Sequence, residues 1–425
     1  HSSFVIRHSS LVFRISYFVF RISYFVFRIL VRKLAFSEVL ISALPLYIRT
    51  PIIVPMPSKI PFAVLTALTF VIPVISGVLV YMGLKLTEQP DYIETRLEGN
   101  EYRVYFGNTH AHTSISDGEL RPADAFEYAR VKGNLDFMIL TDHVEQISND
   151  EWKQIIYAAD TLTVNGSFVA IPGFEYAVLE PNISYIPDWE NILDGGHITV
   201  WNPPRTHVTY TLEEFYSWLT TQPNTYGGFA HPGKQKGVFN NLALNKNVKS
   251  KIVGIEIFNG GRNSFSKYYP YYIHALDKGW YIAPTGAQDN HDINWGTRDD
   301  IRTAVLAKSL TREAIIEAIV NRRIYATSDK NFQLLVQVGN SLMGSIIKDD
   351  HFAISLKFYD PDRNDTVRQV EIVTNNGRVL DTVLFNNTTA TYTFPTIYTL
   401  PGQYFFVKIV QNDDDIIVSA PFIVE

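Results

Sequence analysis

Two histidines one residue apart, His110 and His112, close an alternating apolar run that includes Val104 and Phe106, and a carboxylate, Asp117, follows five residues on. In an extended segment residues i and i+2 point to the same side, so a strand ending in His-x-His presents both imidazoles to one ion. Gly118 then lets the backbone turn back over the pair. Alone, such a pair is an ordinary surface feature; its weight comes from what recurs downstream. His143 follows LDFMILTD, Glu175 follows FVAIPGF, His197 opens GGHITVW, His231 follows YGGFA, and Asp289 and His291 follow YIAPTGAQ. Of nine histidines beyond residue 90, six stand at such places, which leaves His207, His274 and His351 for surface or structural roles. The chain has no cysteine, so disulfides and thiolate sites are excluded and any metal must be held by His, Asp, Glu or backbone oxygen. Mixed imidazole and carboxylate donors suit Zn, Mn or Fe.

These side chains need elements that bring them together. Seven short apolar runs end near Phe106, Leu140, Ile171, Val200, Ala230, Phe258 and Thr285, most of them followed by helical or loop material. That alternation is expected of strand-then-helix units around a barrel, where the C-terminal strand ends converge on one rim. Between the first two runs, Pro122 to Val131 reads as an amphipathic helix begun by proline and stopped by Gly133. The sixth run, VGIEIFNGG, offers Glu256 as a buried supporting group and Asn259 beside it. Arg262, just beyond that run, and Arg298, beyond the seventh, are the guanidinium forks expected to reach substrate oxygens, with a surface salt bridge as the plain alternative for each.

The segments HAHTSISDG, LTDH, PGFEY, GGH, AHPG and QDNH resemble, in order, the motifs of the polymerase and histidinol phosphatase (PHP) superfamily, over roughly residues 100 to 425. The stretch REAIIEAIVNRRIYATSDKN and the late QNDDDIIVSAPFIV look further like its carbaryl hydrolase-like branch. The resemblance implies an α/β fold, a distorted seven-stranded (β/α) barrel, with a multinuclear centre of two or three divalent ions. His110 and His112 match the opening His-x-His, Asp117 the ligand after it, and His143 the TDH histidine. Glu175 matches the bridging glutamate, His197 and His231 the two mid-chain histidines, and Asp289 with His291 the closing Asp-x-His.

The implied chemistry is hydrolysis of an ester by a hydroxide generated at neutral pH, because clustered cations lower the pKa of a shared water toward about 7. Glu175 and Asp289 are assigned to that machinery. A phosphoester on a small molecule is the first expectation and a carboxylic or carbamic ester the second. A nuclease or proofreading module, and a catalytically silent metal-binding ectodomain, are the alternatives from other classes. No nucleic-acid partner is expected: the formal charge is −6, and residues 1–55 carry seven Lys or Arg against one Glu, which leaves −12 on the rest.

The remaining segments read as follows. Residues 1–55, with the nearly exact repeat SYFVFRI and no methionine before Met56, look like translated repeat DNA, either non-functional or a start-site artefact. Residues 56–90 form an anchor or signal segment and linker. Ile60 to Leu84 contains no charged residue, and 25 residues at about 1.5 Å each exceed a hydrocarbon core of about 30 Å, so an N-terminal anchor helix is expected. Lys59 before it and Glu88, Asp91 and Glu94 after it place the catalytic part outside the cytoplasm, periplasmic or extracellular, and secreted if the segment is cleaved. Residues 91–330 carry the barrel. Residues 331–425 switch to period-two alternation and read as a small β-sandwich with a hairpin turn at Asn376-Gly377. Asp413 to Asp415 reads as a solvated turn in preference to a calcium site.

Overall fold

In a computed structural model the chain divides into two units, His1–Glu88 and Gln89–Glu425. The residues described, all in the second unit, are 95–97, 100–177, 195–209, 211–234 and 238–425. The leader, the anchor segment 60–84 and the loop 178–194 lie outside them. Among the described residues no helix is long and apolar enough to cross a membrane.

The fold is mixed α/β. Strands β1 (Thr95–Leu97), β2 (Asn100–Asn108), β3 (Phe137–Ile139) and β4 (Val169–Ile171) lie side by side, with β2, β3 and β4 parallel. Parallel neighbours need crossovers, and these are helix α1 (Pro122–Val131), with the bounds expected from its sequence, and helix α2 (Asn149–Leu162). Ser148 and Glu151 close the α2 N-terminus as a reciprocal capping box. Gly133 has a task beyond ending α1, since a Cβ there would sit 2.2 Å from the Trp295 carbonyl oxygen.

Pro172 has no N–H to continue the ladder, and there the chain passes into a second sheet. This sheet runs β5 (Gly173–Ala177), β6 (His197–Trp201), β7 (Tyr226–Ala230), β8 (Ile252–Asn259) and β9 (Ala283–Ala287) in order. Its first two pairings are antiparallel and its last two parallel. Helix α3 (Leu212–Thr221) follows β6, and α4 (Phe265–Asp277) follows β8. Strands β10 (Arg302–Ala307) and β11 (Ile324–Thr327), joined by helix α5 (Arg312–Val320), return to the first sheet, where β10 pairs antiparallel with β2.

The pairing of β1 to β11 resolves into two sheets, where the resemblance implies a distorted seven-stranded (β/α) barrel. What links them on the site side is a pair of isolated bridges, Ala111 to Asn290 and His143 to Glu175. Both bridges join residues at or next to candidate ligands.

Strand β12 (Gln333–Val338) opens the C-terminal strands. It forms a four-stranded sheet with Ser341–Leu342, Ser355–Tyr359 and Thr389–Thr393. This sheet shares a core with Val367–Thr374 and Tyr404–Gln411 through Phe332, Leu334, Phe358, Val370, Ile372 and Val407. The Asn376-Gly377 turn is present, both residues at positive φ, between antiparallel Val367–Thr374 and Arg378–Asn387. However, Ile416–Ser419 pairs with β11, so these strands continue the first sheet across residue 330.

Candidate metal centre

The chain closes the site by lacing the two histidine-bearing segments together. Asp289 N–H donates to the His110 carbonyl at 3.0 Å and His112 N–H to the Asn290 carbonyl at 2.8 Å. Asn108 Oδ1 accepts from Gln288 N–H at 3.0 Å, and Asn108 Nδ2 donates to Asn290 Oδ1, also at 3.0 Å. The loop after His112 is folded around the buried Asp142 carboxylate, which accepts from Thr113 N–H at 2.7 Å, Thr113 Oγ1 at 2.9 Å and Ser116 Oγ at 2.8 Å. Gly118 permits the return: a Cβ there would lie 2.7 Å from the His112 carbonyl carbon. His231 and Asp289 have φ of 26° and 51°, a left-handed backbone uncommon outside glycine that clusters where side chains must be aimed.

The structure brings all nine candidate ligands into overlapping groups. They are His112, Asp117, His143 and His291; His110, His112 and Asp289; His110, Glu175 and His231; and His143, Glu175 and His197. Glu175 is the hub, only 1% exposed. Its Oε1 lies 2.8 Å from His197 Nδ1, 3.1 Å from His231 Nε2 and 3.4 Å from His110 Nε2. Its Oε2 lies 3.2 Å from His143 Nδ1 and 3.4 Å from His112 Nε2. Asp289 Oδ1 is 3.2 Å from the Nε2 atoms of both His110 and His112. Asp117, nearly half exposed, places Oδ2 3.3 Å from His291 Nε2 and 3.6 Å from His143 Nε2. His197 reaches this cluster from the N-terminal end of its strand, because β6 runs antiparallel to β5.

Burying carboxylates is costly unless positive charge meets them. Burial would raise the Glu175 and Asp289 carboxyls, but the surrounding imidazoles together outweigh it, His110 with His197 and His231 for Glu175 and His110 with His112 and His231 for Asp289, and hold both well below the usual range. Burial would likewise lower His110, yet Asp289, Glu175 and Glu256 lift it well above its ordinary value. His112 rises to about 9 because its hydrogen bonds with Asp117 and Asp289 overcome burial. The donor set fits divalent cations: imidazole nitrogens and carboxylate oxygens face one another at 2.8 to 3.6 Å, with His110 Nε2 and His112 Nε2 only 3.1 Å apart.

Three groups around the centre deserve names. Glu256 is buried, as expected, and its carboxylate accepts from His110 Nδ1 at 2.8 Å, His231 N–H at 2.7 Å and Asn259 Nδ2 at 2.9 Å. Asp142 was not singled out in the sequence, although it is the acid of the LTDH motif. Lys234, three residues beyond His231, sends Nζ to Asp289 Oδ2 at 3.2 Å from a half-exposed position.

The two arginines are otherwise engaged. Arg262 Nη1 donates to the Asp413 carbonyl at 2.8 Å and to Asp415 Oδ1 at 3.2 Å, the salt-bridge alternative. Arg298 Nη1 donates to the carbonyls of Gln288 at 2.7 Å and Asp289 at 3.0 Å, so it braces the backbone of a candidate ligand. Asp414 pairs with Arg368 at 2.8 Å. His207 stacks on Trp218, His274 meets the Asn241 carbonyl, and His351 pairs with Asp350 at the surface, all away from the cluster.

No family model matches the chain, and no curated protein does. Four solved chains are similar to it. One is a crystal structure from Bacteroides vulgatus of a two-domain protein containing a predicted PHP-like metal-dependent phosphoesterase. It is 18% identical over 76% of this chain and 94% of that one, with a TM-score of 0.42. Another is an engineered protein, 10% identical over 68% of this chain and 49% of that one, with a TM-score of 0.18. At such scores neither likeness bears on function.

Proposed function

We propose that this chain is a metal-dependent hydrolase of ester bonds, with a phosphoester as its first substrate class and a carboxylic or carbamic ester as the second. The observation that carries this is the Glu175 carboxylate, 1% exposed with five imidazole nitrogens at 2.8 to 3.4 Å, three of them, from His110, His112 and His143, belonging also to neighbouring groups. Overlap of that kind suits a centre for two or three ions better than one isolated site. Divalent ions held there would supply Lewis acidity and lower the pKa of water toward about 7.

The residues divide the remaining work. Glu175 and Asp289 place buried negative charge between the histidines. Glu256 accepts the Nδ1 proton of His110 and so leaves Nε2 facing the cluster. Arg298 and the Asn108–Asn290 pair fix the backbone of the closing segment. Asp117 and His291, on the exposed side, are where a substrate would enter. Lys234 offers a half-exposed positive charge beside Asp289, which favours an anionic group such as a phosphate. The ordered motif resemblance to the PHP superfamily supports the same assignment.

The test combines elemental analysis with turnover of p-nitrophenyl phosphates, phosphodiesters and carboxyl esters, with Mn or Zn supplied. Two or three ions per chain are expected, and phosphate turnover reduced at least about 100-fold in His110→Ala and Glu175→Gln. Less than one ion per chain after reconstitution, or turnover unchanged in both variants, overturns the proposal.

A further inference from the structure

A second group of acids, sharing no residue with the histidine centre, gathers where three C-terminal segments meet. Asp329 follows β11, Asp360 and Asp365 follow Ser355–Tyr359, and each offers an oxygen within 4.8 Å of the others. Acids at turns are common, and by themselves they say little. Two buried acceptors set this group apart. Gln411, which ends Tyr404–Gln411, is 0% exposed; its Nε2 donates to Asp360 Oδ2 at 2.6 Å, which turns the amide onto the cluster, and its Oε1 has no hydrogen-bond partner. Asp329 is 5% exposed, and although Oδ1 accepts from Asn331 N–H at 2.9 Å, Oδ2 has no partner. A buried acceptor left without a partner has lost its water without compensation, and a bound cation would restore that partner.

No cation among the described residues touches these acids: the buried Arg302 acts on Asp329 only through space, its guanidinium being held by the carbonyls of Asp299, Ile301 and Gly296. Among the described residues no Lys, Arg or His forms an ion pair with Asp329, Asp360 or Asp365, while Arg262 and Arg368 are taken by Asp415 and Asp414. The available donors are all oxygens: carboxylates and a side-chain amide. Zinc-type ions prefer nitrogen or sulfur, whereas calcium takes six to eight oxygens in flexible geometry from Asp, amide carbonyls and water.

We infer that Asp329, Asp360, Asp365 and the Gln411 carbonyl form a structural site for a hard divalent cation, calcium in class. The ion ties the end of β11 to two segments of the C-terminal strands. It is a stabilising site, separate from the chemistry of the histidine centre.

The experiment uses the full chain freed of divalent ions and then titrated with CaCl2, followed by calorimetry and thermal unfolding, with MgCl2 at equal ionic strength as the comparison. One calcium per chain and a rise in Tm of about 5 °C are expected. Glu175→Gln should keep this response. Asp329→Asn/Asp360→Asn should fold without added ion, since it relieves carboxylate repulsion, yet lose the response. Three results overturn the site: no calcium response in the wild type, as for a buried water or a proton shared between carboxyls; a response retained in the double variant; or a response lost in Glu175→Gln.

Discussion

His110 has two ring nitrogens, and Glu256 decides which of them faces the cluster. With Nδ1 2.8 Å from Glu256 Oε1, one proton is held on that side, and Nε2 is the nitrogen that faces Glu175 and Asp289 and that an ion would take in place of its proton. Glu256→Gln keeps the shape but places an amide where only an acceptor serves both His110 and the His231 N–H. Metal affinity should fall about 10- to 100-fold, measured by competition with a chromophoric chelator, with little change in Tm of the ion-free protein. Affinity equal to wild type would mean that Glu256 is only a core acid. At this scale the sequence was informative because His-x-His on a strand and Asp-x-His after one leave few geometries open. Glu256 was legible as an acid inside an apolar run. Lys234 and Asp142 were not, because one lysine near a turn and one acid before a histidine carry no pattern until folding sets their partners.

Elements were legible by periodicity, but their directions were not. Helix α1 matches its expected bounds because proline at its start and the change of pattern at Gly133 are local signals. That β6 would run antiparallel, bringing His197 in from the opposite strand end, depends on pairing, which an apolar run does not encode. Asp136 shows how such pairing is fixed: it stands just before β3, and its Oδ2 accepts from Phe106 N–H on β2 at 2.7 Å. Burial pushes this carboxyl up to about 6, against the lowering effect of that hydrogen bond. A raised carboxyl binds its proton more tightly in the folded chain, so its contribution is favourable at acid pH and stability declines as pH rises from about 4 to 6. Asp136→Asn keeps an acceptor without the charge. The variant should match wild type near pH 4 and exceed it at pH 7.5 by roughly 1–3 kcal/mol in denaturant unfolding. A less stable variant at pH 7.5 would show that the hydrogen bond to the charged form outweighs its desolvation.

Across the unit Gln89–Glu425, the change from mixed to period-two patterning at about residue 331 reads as a small β-sandwich following the barrel. Alternation reports which face of a strand is buried, not which strand lies beside it, and here the neighbour is β11. Tyr325, Ala326 and Thr327 pair with Ser419, Val418 and Ile417, so the first sheet is completed only by residues near the C-terminus. One apolar core holds Ala304, Ile315 and Tyr325 together with Phe332, Phe358 and Val407. A chain ending at residue 330 would leave the β11 edge open and strip the cover from that core, and open apolar edges template association. Residues 91–330 alone should therefore be largely insoluble, or soluble without a cooperative unfolding transition, while residues 91–425 unfold cooperatively. Both are measured from the soluble fraction and a urea titration followed by tryptophan fluorescence. A monomeric 91–330 chain with a sharp transition would mean that the shared sheet is a docking contact between two independent folds, and that the module boundary suggested by the sequence is also the boundary of folding.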